Sequence, residues 1–309
     1  MKNIFKILVS ALLALGLGVC QANASSNTQN LQVFSTDNAK GLINAKSIEK
    51  AFNASDMIVD VNNDMNSIFS KRYGNVHHKN YNLAIFTNAK IVAKLMKKSP
   101  MIGLITPLSM SIYSGKDNSI NISTLSLAGM SRITKIPATD PDLIAYSKLL
   151  DAALHKALPN GKYLSVNHSK NTNENLVTTF GLELELEDGD TFADVKDGFK
   201  EEFESEISPI GFLVPKSYTL EHADYDFFDT YSIIRFNAIF PVSKNHPDAG
   251  AYAPFSLVMY KKKGEENMHI SFPSIENWIK DLDITEKDTV KAVKETHAMM
   301  KEVLEGLTE

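Results

Sequence analysis

The chain has 309 residues, is 43% hydrophobic and 22% charged, and carries a formal net charge of −5. An acidic chain with no basic stripe argues against a nucleic-acid binder. Its one cysteine, Cys20, allows no internal disulfide, so stability must come from apolar burial, for which this length is sufficient.

Residues 1–24 read as a secretory leader. Lys2 and Lys6 form a basic start, residues 7–19 a short apolar core, and Ala22-Asn23-Ala24 a small-x-small cleavage site. Cleavage after Ala24 would give a periplasmic chain beginning at Ser25 with net charge −7, two lysines fewer. The alternative is a lipoprotein anchored through Cys20, against which Val19 is bulky where a small residue is wanted. No other run is long and apolar enough for a transmembrane anchor.

Residues 31–34 begin the first strand. Residues 47–73 place Met57, Val61, Met65, Ile68 and Phe69 at helical spacing and are expected to be helical or broken-helical. Residues 81–86, YNLAIF, read as a strand, and Asn88 as the cap of a helix that ends before Pro100. A hairpin follows at 101–125. Asp140-Pro141 opens a helix to about Leu158, stopped by Pro159-Asn160-Gly161. Residues 161–175 are rich in Asn, Ser and Lys and are expected to be a linker. Phe180, Leu182, Leu184 and Leu186 alternate with Gly181, Glu183, Glu185 and Glu187, the pattern of a half-buried strand. An amphipathic helix begins at Phe192, strand-like runs cover 211–218 and 228–236, and a last helix covers roughly 286–304.

The hairpin occurs twice. Residues 249–273 match residues 101–125, pairing Gly103 with Gly250, Pro107 with Pro254, Ser109 with Ser256, Tyr113 with Tyr260 and, after one inserted residue, Ile122-Ser123 with Ile270-Ser271. YNLAIF precedes the first copy and YSIIRF the second. A match at this period implies two domains of one kind, each α+β: a curved, mainly antiparallel sheet with helices on one face. The expected bounds are 31–160 and 176–305.

These residues resemble the DUF302 family of bacterial domains: the strand YNLAIF or YSIIRF, the Ile-Gly or Ala-Gly turn with Pro107 or Pro254, the strand ending in Tyr113 or Tyr260, and the return strand. Many members of that family begin this strand with Pro followed by an aromatic residue or Cys; here Pro107 is followed by Leu108 and Pro254 by Phe255, and with Cys20 in the expected leader the mature chain has no thiol. The resemblance implies a TATA-binding-protein-like fold and pairing of domains, here within one chain as a monomer with an internal pseudo-dimer. It implies no catalytic residue and no cofactor.

Tyr113, Tyr252, Phe255, Tyr260 and Trp278 are the candidate ligand-binding residues, because their rings could line a cleft between paired domains. His222, Asp224, Asp226 and Asp229 lie close enough in sequence to hold a divalent cation, although their spacing matches no known loop. No GxSxG, HExxH or P-loop occurs, and Ser109 and Ser256 recur as strand positions rather than as nucleophiles. The function expected is therefore an exported, periplasmic, non-catalytic binding or interaction protein whose partner is a small or apolar molecule or another protein. A metal-handling protein and a hydrolase without a recognisable motif are the alternatives.

Overall fold

A computed structural model of the chain describes residues 29–166, 168, 176–183, 186, 189 and 191–308. The expected leader and cleavage site lie outside the described residues. The protein is α+β, and among the described residues every strand pairs antiparallel.

In the first half, β1 (Leu31–Asp37) leads to α1 (Ala45–Asn53), whose Asn44 cap accepts from the Ser47 amide at 3.1 Å. Asp56, at φ 56°, ends that helical turn, and β2 (Ile58–Asp64) follows. This corrects the expectation of a helical run over residues 47–73. Met57 is buried beside α1, but Val61 is a strand residue paired with Ile85. The helix resumes only at α2 (Met65–Tyr73), capped by Asp64 and closed by Gly74 at φ 66°. Helical spacing across 57–69 was real as a pattern, but pairing with β3 (Tyr81–Thr87) overrides it.

Asn88 caps α3 (Ala89–Met96), and a 3-10 turn (Pro100–Ile105) feeds the hairpin β4 (Leu108–Ser114) and β5 (Ser119–Leu125). Ser126 caps α4 (Leu127–Thr134), and Asp140 caps α5 (Pro141–Ala157). The segment with linker composition opens with a two-residue strand, β6 (Lys162–Tyr163). The sheet order is β2-β3-β4-β5-β1-β6.

The second half comprises β7 (Val177–Glu183), α6 (Phe192–Ile207), β8 (Phe212–Thr219) and β9 (Tyr225–Arg235). These are followed by α7 (Phe236–Asn245), a 3-10 turn (Pro247–Ala251) and the hairpin β10 (Phe255–Lys262) and β11 (Asn267–Pro273). A short α8 (Trp278–Asp281) and a long α9 (Lys287–Thr308) complete it. Its sheet runs β8-β9-β10-β11-β7, which is the order of the first five strands of the first sheet, β2-β3-β4-β5-β1, with each replaced by its counterpart and none for β6.

Each sheet turns one face to its own helices. Phe34, Phe86, Met110 and Ile122 pack with Phe52 and Leu150, and Tyr231, Leu257, Met259 and Ile270 pack with Phe203, Val293 and Met300. The opposite face of each sheet is completed by the other half. Leu31, Val33, Tyr81 and Leu83 join the core of the second half, whereas Tyr225, Phe228, Val258 and Tyr260 join that of the first. Helix α2 adds a clamp: Tyr73 stacks on Phe240 at 4.0 Å, and the ring of the adjoining His77 lies 4.4 Å from Phe240.

Candidate functional site

The two halves meet where each 3-10 turn crosses the other's hairpin. Both turns end in a cis proline, Thr106-Pro107 and Ala253-Pro254. The Ser109 hydroxyl donates to the Pro254 carbonyl, and the Ser256 hydroxyl donates to the Pro107 carbonyl at 3.0 Å. The recurring serines thus join the two hairpins. Away from this pair the seam is unequal. On one side Ser111 donates to the Pro247 carbonyl and Ser123 to the Asp248 carbonyl, each at 2.7 Å. On the other side Val258 stands at the position matching Ser111 and packs on Gly103 and Phe228.

Tyr252 and Phe255 line a crevice at this seam together with Pro107, Ser109, Ile133 and Pro273. Its free volume is about 30 Å³. That is the share of one water molecule, an order of magnitude below the volume of an organic-ligand pocket. Tyr252 stacks on Trp278 at 6.2 Å. Tyr113 and Tyr260 do not line the crevice: Tyr260 stacks on Phe228 and His269, and Tyr113 lies beside His78. The five candidate rings are thus divided among packing sites rather than gathered around one opening.

The four candidate metal ligands are also divided. His222 Nδ1 lies 3.6 Å from Asp224, Asp226 accepts from Lys261 Nζ at 2.6 Å, and Asp229 accepts from Lys200 Nζ at 3.1 Å with Lys196 Nζ at 3.4 Å. Two of the four, Asp226 and Asp229, are thus already paired with lysine ammonium groups. Among the described residues no group of three His, Cys, Asp or Glu side chains is arranged to hold a metal. The Asp229 cluster lies beneath α6, with Lys196 over the Phe227 ring and Lys200 over that of Tyr231.

Composition gave no hint of a second polar cluster, because its key residue lies in the Asn/Ser/Lys-rich segment. His168 Nε2 is 2.8 Å from Asp248 Oδ2, and Nδ1 is 3.8 Å from Asp283 Oδ2. Gln29 donates to the His168 carbonyl, Asn30 donates to Asp281 at 3.0 Å, and Arg132 donates to Asn30 at 2.8 Å. Burial acts to lower the His168 pKa, but the hydrogen bond to Asp248 and the charges of Asp248, Asp283 and Asp281 outweigh it, and the value is raised. Burial first, then the charges of Asp281 and Asp248, push the Tyr252 hydroxyl well up. Burial and Asp248 do the same to Tyr81 and Tyr113.

The raised His168 value has a consequence for stability. Protonated His168 favours the folded chain fully below about pH 6.5, and the contribution fades as pH rises through the raised value. His168→Gln should therefore lower the urea midpoint more at about pH 6 than at about pH 9. A difference between variant and wild type that is the same at both pH values would mean that the ring contributes packing alone.

Among the described residues no helix is long and apolar enough to cross a membrane. No curated protein matches the chain. A crystal structure of an uncharacterized conserved DUF302 protein from Bacillus stearothermophilus is similar, with 12% sequence identity and a TM-score of 0.34, over 44% of this chain and 99% of that one. Within the present chain, residues 44–157, from the cap of α1 to the end of α5, match the family described as "Domain of unknown function DUF302".

Proposed function

We propose that the protein is exported to the periplasm, its leader cut after Ala24, and that it acts there as a non-catalytic interaction protein with a protein partner. In this reading residues 31–160 and 176–305 are two DUF302-type domains, joined by residues 161–175, that pair within one chain as a monomer. The observation that carries the pairing is the reciprocal seam, in which Ser109 reaches Pro254 and Ser256 reaches Pro107. A short linker holds such partners at an effective concentration on the order of millimolar, so the tandem chain has no need of a second copy.

A protein partner is favoured over a small ligand because the seam crevice has room for about one water, and the candidate rings pack against one another. Recognition is then left to the outer surface. Native mass spectrometry of residues 25–309, purified from the producing cell's periplasm without chelator and with mild cross-linking, tests this. The expected result is one copy of the chain with a stoichiometric protein partner and no small cargo. A stoichiometric metal or organic mass, or an obligate dimer of the chain, would overturn it.

A further inference from the structure

The two sheets differ at one edge. In the first, β1 does not end the sheet. The chain returns after α5 and lays β6 along it, with Phe34 opposite Tyr163 and Ser35 opposite Lys162. The Leu164 amide extends the ladder by donating to the Val33 carbonyl at 2.9 Å. Tyr163 covers Phe34 edge-on at 4.8 Å, and His155 of α5 does so at 4.6 Å. Phe34 is fully buried as a result.

The counterpart of β1 is β7, and the register makes the correspondence residue by residue. Phe34 pairs with Ile122 and Phe180 with Ile270; Val33 pairs with Ser123 and Thr179 with Ser271. Phe180 therefore stands where Phe34 stands, and Gly181 where Ser35 does. Among the described residues no strand lies along the outer edge of β7. Phe180 is only half-buried, although it joins the helix-side core as Phe34 does. Gly181 is exposed, and a side chain built on it would meet nothing within 4 Å.

The other edges are managed. Strands β2 and β8 each carry a bulge and are tied together by Tyr218, which donates to Asp60 at 2.7 Å. Strand β7 is seven residues long and keeps regular register with β11 throughout. Among the described residues nothing pairs with this edge, and a regular edge of that length is a template for an added strand.

We propose that the outer edge of β7 is a docking site for an extended, cationic segment of a partner protein, which adds as an antiparallel strand with an aromatic or branched apolar residue over Phe180. This rests on the reading of the chain as a partner-binding protein and supplies its surface. The chain's own β6 defines the chemistry: a lysine beside an aromatic residue, in antiparallel register. Charge selects the same occupant. Strand β7 ends in Glu183, which is exposed. A basic strand complements that charge, whereas a second copy of this acidic chain repeats it. By the correspondence with Val33, the outward-pointing backbone groups are those of Thr179 and Gly181.

The probe is the capped synthetic peptide Lys-Val-Lys-Tyr-Lys-Val-Lys, with a control in which glutamate replaces every lysine. Titrated into the full mature chain, the basic peptide should slow hydrogen exchange at the Thr179 and Gly181 amides, bind more weakly as salt rises, and outcompete the acidic control. Gly181→Pro removes one outward donor and leaves the ladder to β11 intact. It should weaken binding about tenfold with an unchanged urea midpoint. Glu183→Lys alters only an exposed charge and should weaken binding several-fold.

Unchanged exchange at Thr179 and Gly181, or equal affinity for wild type and Gly181→Pro, would overturn the proposal. Self-association of the chain that disappears in Gly181→Pro would overturn it too, by giving the edge to a second copy. A periplasmic partner whose complex survives Gly181→Pro would refute the edge while leaving the partner-binding reading intact.

Discussion

Gly250→Ala is expected to cost about 3 kcal/mol or more, a large share of the stability of an ordinary domain. Gly250 lies in the 3-10 turn that crosses β4, and an added methyl would stand 2.7 Å from both the Ser111 backbone nitrogen and a Leu83 methyl. Relief would require β4 to move, and β4 is paired on both sides, to β3 and to β5. The counterpart change is milder. A methyl at Gly103 would stand 2.7 Å from Val258 Cβ, a side chain that can itself be shortened. Gly103→Ala should cost about 1–3 kcal/mol and be only partly rescued by Val258→Ala, which removes the crowding γ-methyl but keeps Cβ at 2.7 Å, a coupling that a double-mutant cycle measures. Urea denaturation of the four variants decides it. A Gly250→Ala protein within about 0.5 kcal/mol of wild type would show that the halves do not meet at this distance.

Asp229→Ala should be comparably severe, at about 3–5 kcal/mol. Asp229 is 1% exposed and answers two lysines, Lys196 and Lys200. Removing it takes away the shared anion, leaving Lys196 with the exposed Asp197 at 3.2 Å and Lys200 without its carboxylate. Its Oδ1 has no hydrogen-bond partner among the described residues, so the cluster is under-satisfied even as it stands. Replacing the whole set by Asp229→Leu, Lys196→Met and Lys200→Met should therefore bring stability back to within about 1 kcal/mol of wild type, or above it. If Asp229→Ala alone were harmless, the cluster would have to be open to water. If the triple variant failed as badly as the single one, shape rather than charge would set the cost.

The sequence announced most elements that carry their own signals. Asn88 before an apolar run, Asp140-Pro141, and the polar turns between apolar strands all marked boundaries that the structure keeps. Elements decided by distant partners were hidden. Strand β2 looked helical because Met57, Val61 and Met65 are spaced by four, and only pairing with β3 makes a strand of the middle one. Helix α7 was invisible because Pro241 lies inside it and Arg235 offers no side-chain cap. The recurrence of Ser109 and Ser256 was legible, but its meaning was not, since the acceptors are carbonyls 145 and 149 residues away. His168 was hidden for the same reason: Asp248 and Asp283 reach it only through the fold. The grouping of His222, Asp224, Asp226 and Asp229 misled in the opposite direction. Closeness along the chain says nothing of the lysines that Lys261 and α6 bring to two of them.

The exchange of 3-10 turns has a consequence for how the protein comes apart. Neither half holds a finished core: Tyr81 and Leu83 are sealed by the second half, Phe228 and Val258 by the first. Loosening either half strips apolar cover from the other, so partial states with one sheet intact are penalised by the surface they bare. Two sheets that a topology diagram would draw as separate units are therefore expected to melt as a single cooperative unit, with one calorimetric transition for the whole described chain.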